Sequence, residues 1–173
     1  MNYLTDISYS SEPKIIAEIG INHDGSLDRA KHLAELAINS GAHIIKSQFH
    51  IPKEEMSQDA MKLIPSHCTE SIYEIMENCS LSAKEERQFK DFVESLGGVY
   101  LSTPFSLKAA KILAEEFNVS AFKIGSGECA NIPLLSLVAS YKLPVIMSTG
   151  MNSLESVSTS YDHLLNMGCP KVY

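Results

Sequence analysis

Basic residues are in short supply in this 173-residue chain, where 14 Lys and Arg face 21 Asp and Glu, a formal net charge of −7. That balance argues against a nucleic-acid surface or an anionic membrane surface, both of which need clustered Lys and Arg. It leaves room for a local basic pocket around a small anion. Long apolar runs are missing too, and none approaches the roughly 20 residues that span a bilayer. Met1 to Pro13 is polar and acidic, without the charged-then-apolar order of a secretion signal. The four cysteines, Cys68, Cys79, Cys129 and Cys169, form no C-x-x-C pair and no metal-ligand spacing. Free thiols in a reducing compartment are therefore expected, with the cytoplasm as the location. A Gly-rich phosphate turn of the G-x-G-x-x-G kind is also absent: the first apolar run leads instead into Glu18-Ile19-Gly20-Ile21-Asn22-His23-Asp24-Gly25. This argues against an open, doubly wound nucleotide-binding sheet.

What is present is a chain of ordinary globular composition, 45% hydrophobic and 20% charged, long enough for one domain with a real core. Five apolar runs end in polar residues suited to holding phosphate or moving protons. Ile15-Ile16-Ala17 runs into Glu18, and His43-Ile44-Ile45 into Lys46 and Gln48. Val99-Tyr100-Leu101 leads to Ser102-Thr103, Ala121-Phe122 to Lys123, Ser126 and Glu128, and Pro144 to Met147 leads to Ser148-Thr149. Both faces of these runs look apolar, as in buried parallel strands.

Helices are expected between them. Ser26 caps one through Ile38, stopped by Gly41, and Ser82 with Glu85 makes a capping box ahead of Phe89 to Leu96. Ser106 opens another toward Phe117, Asn131 a short one to Ser140, and Asn152 or Ser153 a last one closed by Gly168. Strand starts near residues 15, 43, 99, 120, 144 and 171 give α/β alternation. The predicted fold is a (β/α)8 TIM barrel cut short after about five and a half βα units. Residues 1–14 are an N-terminal extension and 15–173 a partial barrel domain. Residues 50–81 form an insertion on the presumed active-site face, a lid or substrate wall if not a surface loop.

In a barrel of this kind the strand ends converge on one rim. Lys46, Lys123, Thr103, Ser126 and Ser148 together suit a phosphate monoester gripped without a P-loop. Gly125-Ser126-Gly127 invites backbone N–H groups to approach an anion. Glu18 and Glu128 can orient a hydroxyl, lie near a metal or handle a proton, or can merely neutralise a neighbouring lysine. Gln48 is a hydrogen-bonding residue in either case. His23 braces its turn or serves the site, while His50 and His67 in the insertion meet substrate or solvent. Met56, Met61 and Met76 are packing residues, and His32, His43 and His163 are structural or exposed.

The segments Ile16 to Gly25, Lys46-Ser47-Gln48, Ser102 to Ser106, Phe122 to Glu128 and Met147 to Met151 strongly resemble the sialic acid (N-acetylneuraminate) synthase family. Glu54 to Ser57 and Ser71 to Met76 also fit, so the likeness runs from Ile15 to Tyr173. The resemblance implies an enzyme that condenses phosphoenolpyruvate with an open-chain N-acylated amino sugar such as N-acetylmannosamine and releases phosphate by C–O cleavage. Lys46, Thr103, Lys123, Ser126 and Ser148 would hold phosphoenolpyruvate; Gln48, Glu128 and His67 would meet the sugar; Glu18 would be the catalytic carboxylate. A divalent ion, Mn²⁺ (or Mg²⁺ or Co²⁺), would polarise the aldehyde, and its histidine ligands are expected beyond Tyr173. A domain-exchanged homodimer is implied for the full-length enzyme. His67 stands where N-acetylneuraminate synthases carry asparagine, which opens the way to a legionaminate-type diacetamido sugar or a spore-coat polysaccharide synthase. The different-class alternative is an inactive fragment that at most binds phosphoenolpyruvate.

Overall fold

A computed structural model describes residues 13–173. The proposed 1–14 extension lies outside the described residues apart from its last two positions. Five strands alternate with helices: β1 (Ile16–Gly20), α1 (Leu27–Asn39), β2 (Ile44–Phe49), β3 (Val99–Pro104), β4 (Phe122–Ile124) and β5 (Val145–Met147) with their connections. The β2–β3 connection carries α2 (Pro52–Glu55), a 3₁₀ turn (Ala60–Lys62), α3 (Ile72–Cys79) and the crossover helix α4 (Ala83–Ser95). Helix α5 (Leu107–Lys111) passes into a π turn (Ile112–Glu116); α6 (Ile132–Ser140) and α7 (Leu154–Asn166) follow β4 and β5.

Local chemistry explains the helix starts. Ser26, Ser106, Asn131 and Ser153 each accept a backbone N–H of the first turn. Ser82 with Glu85 forms the expected capping box, and Ser71 with Glu74 forms a second one that opens α3. The insertion is thus an ordered segment with a helix of its own. The π turn ending at Phe117 lets both Leu113 and Phe117 enter the core.

All pairing is parallel and follows chain order. β1, β2 and β3 form one ladder and β4 and β5 another, with β3 lying against β4. The expected sixth strand is reduced to a single parallel bridge between Val145 and Val172. The described residues therefore form an α/β run of parallel strands and close no barrel.

Two apolar layers flank the strands. The larger joins Ile45, Phe49, Tyr100, Phe122 and Ile124 to helix residues such as Ala30, Ala34, Phe89, Val93, Leu113 and Leu134. The smaller, on the opposite face, joins Ile44, Leu101 and Ala121 to Val99 and Ile146. The polar ends grow from this second face. Strand side chains alternate with a period of two, so Ile44 is followed by Lys46 and Gln48, Leu101 by Thr103, Ala121 by Lys123 and Ile146 by Ser148. Apolar footing below and polar groups above are therefore one continuous face, not strands apolar along both faces throughout. Among the described residues no helix is long and apolar enough to cross a membrane, and the four cysteines are free thiols.

Candidate functional site

Parallel register sets the site. Glu18 pairs with Lys46 across β1 and β2, and Gln48 with Thr103 across β2 and β3. A register shift between Glu18 and Gly20 kinks the end of β1 beside them. Gly20 has φ of +57°, and a Cβ there would lie 3.2 Å from Glu18 Oε1 and 3.5 Å from Gln48 Nε2. Glycine thus keeps open the space between that carboxylate and that amide.

Lys46 forms an ion pair with Glu18. Burial, and then the charge of Lys123, push the Lys46 ammonium down to about 8. Glu18 has 45% of its side chain exposed against 13% for Lys46, so solvent screens most of its compensating field. Burial likewise lowers the pKa of Lys123, whose Nζ donates to Ser148 Oγ and to the Ile124 carbonyl at 2.6 Å. Two ammonium groups held out of water, with Lys46 further destabilised by the charge of Lys123, make a site suited to an anion.

Thr103 Oγ1 points the same way. It is buried and has no hydrogen-bond partner, a costly state for a hydroxyl unless something else supplies the acceptor. Ser126 stands in a 3₁₀ turn, Ser126–Glu128, after β4. Asn152 Nδ2 donates to the carbonyls of both Ser126 and Gly150 at 2.8 Å, clasping the loop after β4 to the loop after β5. Neither Gly125 nor Gly127 has positive φ, and the N–H groups of Glu128 and Cys129 are consumed by the turn itself.

The sugar-side candidates separate. Gln48 stays beside Glu18 and Gly20, and Glu128 accepts from Asn131 Nδ2 at 2.6 Å at the start of α6. His67 is exposed in the insertion and, among the described residues, hydrogen-bonds to none of the other candidates. His23 is buried in the turn after β1 with Nδ1 unpartnered, and burial lowers its pKa. Among the described residues no group of three or more His, Cys, Asp and Glu side chains is placed to hold a metal ion.

Two arrangements escaped the sequence reading. His50 is buried, stacked on Phe105 with centroids 4.2 Å apart, and bridges Glu55 Oε2 at 2.8 Å and Gln48 Oε1 at 3.1 Å. Glu86 of α4 is 1% exposed beneath the same strands, accepting from Ser47 Oγ at 2.6 Å and from Tyr100 hydroxyl. Its signal was the helical spacing to Phe89 and Val93, which puts it on the core face.

A sequence model of the NeuB family matches residues 33–173. An uncharacterised protein of Methanocaldococcus jannaschii is 37% identical over 90% of this chain and 43% of its own length. The N,N'-diacetyllegionaminic acid synthase of Campylobacter jejuni is 34% identical over 91% of the chain and 48% of its own length. In structure, the N-acetylneuraminic acid synthetase of Leptospira borgpetersenii, solved with citrate, superimposes with a TM-score of 0.81 at 26% identity, over 93% of this chain and 53% of that one. The chain spans about half the length of the curated relatives it matches.

Proposed function

The chain belongs to the NeuB family, and from that premise we propose that it carries the phosphoenolpyruvate-gripping part of a nonulosonate synthase. In this reading the parallel strands are the first part of a (β/α)8 barrel and the polar strand ends are its catalytic rim. The carrying observation is that two desolvated lysines, Lys46 and Lys123, stand on the same strand face as the orphaned Thr103 hydroxyl. A trianionic phosphoenolpyruvate supplies negative charge beside both lysines and the acceptor that the Thr103 hydroxyl lacks.

The steps divide among these residues. Lys46, Lys123, Thr103, Ser126 and Ser148 hold the phosphate and carboxylate. The enol carbon attacks the aldehyde carbon of the amino sugar, using the C=C electron pair, and positive charge develops at the pyruvyl C2. Water adds there, giving one proton to the former aldehyde oxygen. The C2–O bond to phosphate then breaks with its electron pair, and the remaining hydroxyl proton leaves with phosphate as the keto group forms. Glu18, freed when Lys46 turns from it to the substrate phosphate, takes the first proton from the incoming water and passes that same proton to the former aldehyde oxygen. Preorganised positive charge at the leaving oxygens is the main source of acceleration. Gln48 and Glu128 meet the sugar in this reading. The divalent ion expected for the family finds no ligand set among the described residues, so no step is routed through it.

The diacetylated product named for the Campylobacter relative, together with His67 in place of asparagine, favours a legionaminate-type diacetamido sugar over N-acetylmannosamine. The test is phosphate release from phosphoenolpyruvate carrying ¹⁸O in its bridging position, with a panel of amino sugars and a divalent ion. Phosphate retaining the label, with one sugar preferred, is the expected result. Unlabelled phosphate, or release indifferent to the sugar, defeats the proposal.

A further inference from the structure

The side chain of Gln48 is nearly symmetric in shape, so packing alone does not choose whether its oxygen or its NH₂ faces the site; a hydrogen bond must. That bond comes from His50. The ring sits two residues along β2's exit, 8% exposed, with Phe105 flat against one face. Its Nδ1 faces Glu55 Oε2 and its Nε2 faces Gln48 Oε1, both acceptors, so the pair of bonds needs the imidazolium with a proton on each nitrogen; the neutral ring with Nδ1–H on Glu55 would instead accept from the Gln48 NH₂. The other oxygen of Glu55 accepts the Ile51 backbone N–H, so α2 holds the carboxylate in place. Glu86 of α4 adds a second, more distant carboxyl in electrostatic contact with the ring. With the Gln48 oxygen engaged, its NH₂ is left toward Gly20 and Glu18.

We propose that Glu55 and His50, as a carboxylate–imidazolium pair, form a positioning relay that presents the Gln48 amide to the substrate as a donor, selecting a sugar oxygen that can only accept, such as an N-acyl carbonyl. This rests on the synthase reading for the identity of the ligand, but not for the relay itself. His50 and Glu55 touch no reacting atom; they act through Gln48. The short helix Pro52–Glu55 at the mouth of the insertion thereby gains a role, since it places Glu55 four residues beyond Ile51 and directly on the ring.

Two variants test it. His50→Phe keeps a flat ring against Phe105 and loses both nitrogens; Glu55→Gln keeps size and an accepting oxygen and loses charge. In ¹⁵N-labelled chain, the Gln48 side-chain NH₂ signal, assigned by its loss in Gln48→Glu, is expected to move to a solvent-like position in His50→Phe and partway in Glu55→Gln. In the protein as its own cell makes it, KM for the amino sugar is expected to rise about tenfold, the worth of one oriented hydrogen bond. KM for phosphoenolpyruvate should stay within about twofold. An unmoved Gln48 signal in both variants, or a parallel rise in both KM values, overturns the relay. Should the parent protein turn over no amino sugar at all, the synthase reading falls, while the Gln48 signal still decides the relay.

Discussion

Lys46 gives the sharpest test of the anion site. Bringing an ammonium from 10.5 to about 8 costs its charged form about 3 kcal/mol, at about 1.4 kcal/mol per pH unit. A bound phosphate dianion offsets that cost, so binding must raise the Lys46 pKa and take up protons wherever the free group is partly neutral. At pH 8.5 the free ammonium is roughly one-quarter protonated and the bound one nearly fully so, an uptake of about 0.7 proton per phosphoenolpyruvate. Affinity should be flat below pH 7.5 and fall up to about tenfold per pH unit above 8. Titration calorimetry in two buffers of different ionisation enthalpy reads the uptake directly. Lys46→Met should abolish both the uptake and the alkaline fall. An affinity constant from pH 7 to 9.5 with no proton uptake refutes the argument that burial and Lys123 hold this lysine on the edge of neutrality.

Thr103→Val should separate binding from stability. Removing an orphaned buried hydroxyl raises the urea unfolding free energy by about 1 kcal/mol, while phosphoenolpyruvate binding weakens about tenfold; both falling together counts against the assignment. Burial raises the Glu86 carboxyl above its ordinary 4.5, against the lowering effect of its Ser47 and Tyr100 hydrogen bonds. The folded state therefore holds that proton more tightly than the unfolded chain, and stability falls as pH rises from 4.5 toward the folded value. Glu86→Gln should flatten that part of the urea-midpoint profile, above pH 4.5. Gly25→Ala sets a Cβ 2.3 Å from the Asn78 carbonyl at φ of +71°, and we expect a loss of at least about 2 kcal/mol in urea unfolding; a neutral effect would mean that the β1 turn and α3 are not in contact in solution.

Strand order and helix starts were legible because their signals are local. A serine three residues before a glutamate, or an apolar run ended by lysine, needs no knowledge of the rest of the chain. The same local signal at Ser71 and Glu74 opens α3 inside the 50–81 insertion, where the sequence analysis names no helix. The gathering of Lys46, Thr103, Lys123 and Ser148 was legible too, since period-two alternation above Ile44, Leu101, Ala121 and Ile146 leaves them on one face. What was not legible depends on contacts distant in sequence. Whether Glu18 is a base or merely a partner of Lys46 is a question of charge, and the structure contains the ion pair that either role needs. Helical spacing puts Glu86 on the core face of α4, but its partners Ser47 and Tyr100, 39 and 14 residues away, are set only by the fold. His50 and His67 carried equal promise as residue types; only the stacking ring of Phe105 and the carboxylate of Glu55 single out His50.

The Asn152 clasp has a consequence for how such chains can be varied. Because one amide binds carbonyls from the loop after β4 and the loop after β5, the two loops behave as a single heritable cassette. Exchanging the loop after β5 for one without asparagine at 152 would leave the Ser126 carbonyl without this donor and loosen Ser126 relative to Ser148. Productive recombination breakpoints are therefore expected before β4 or beyond Asn152, and not between them.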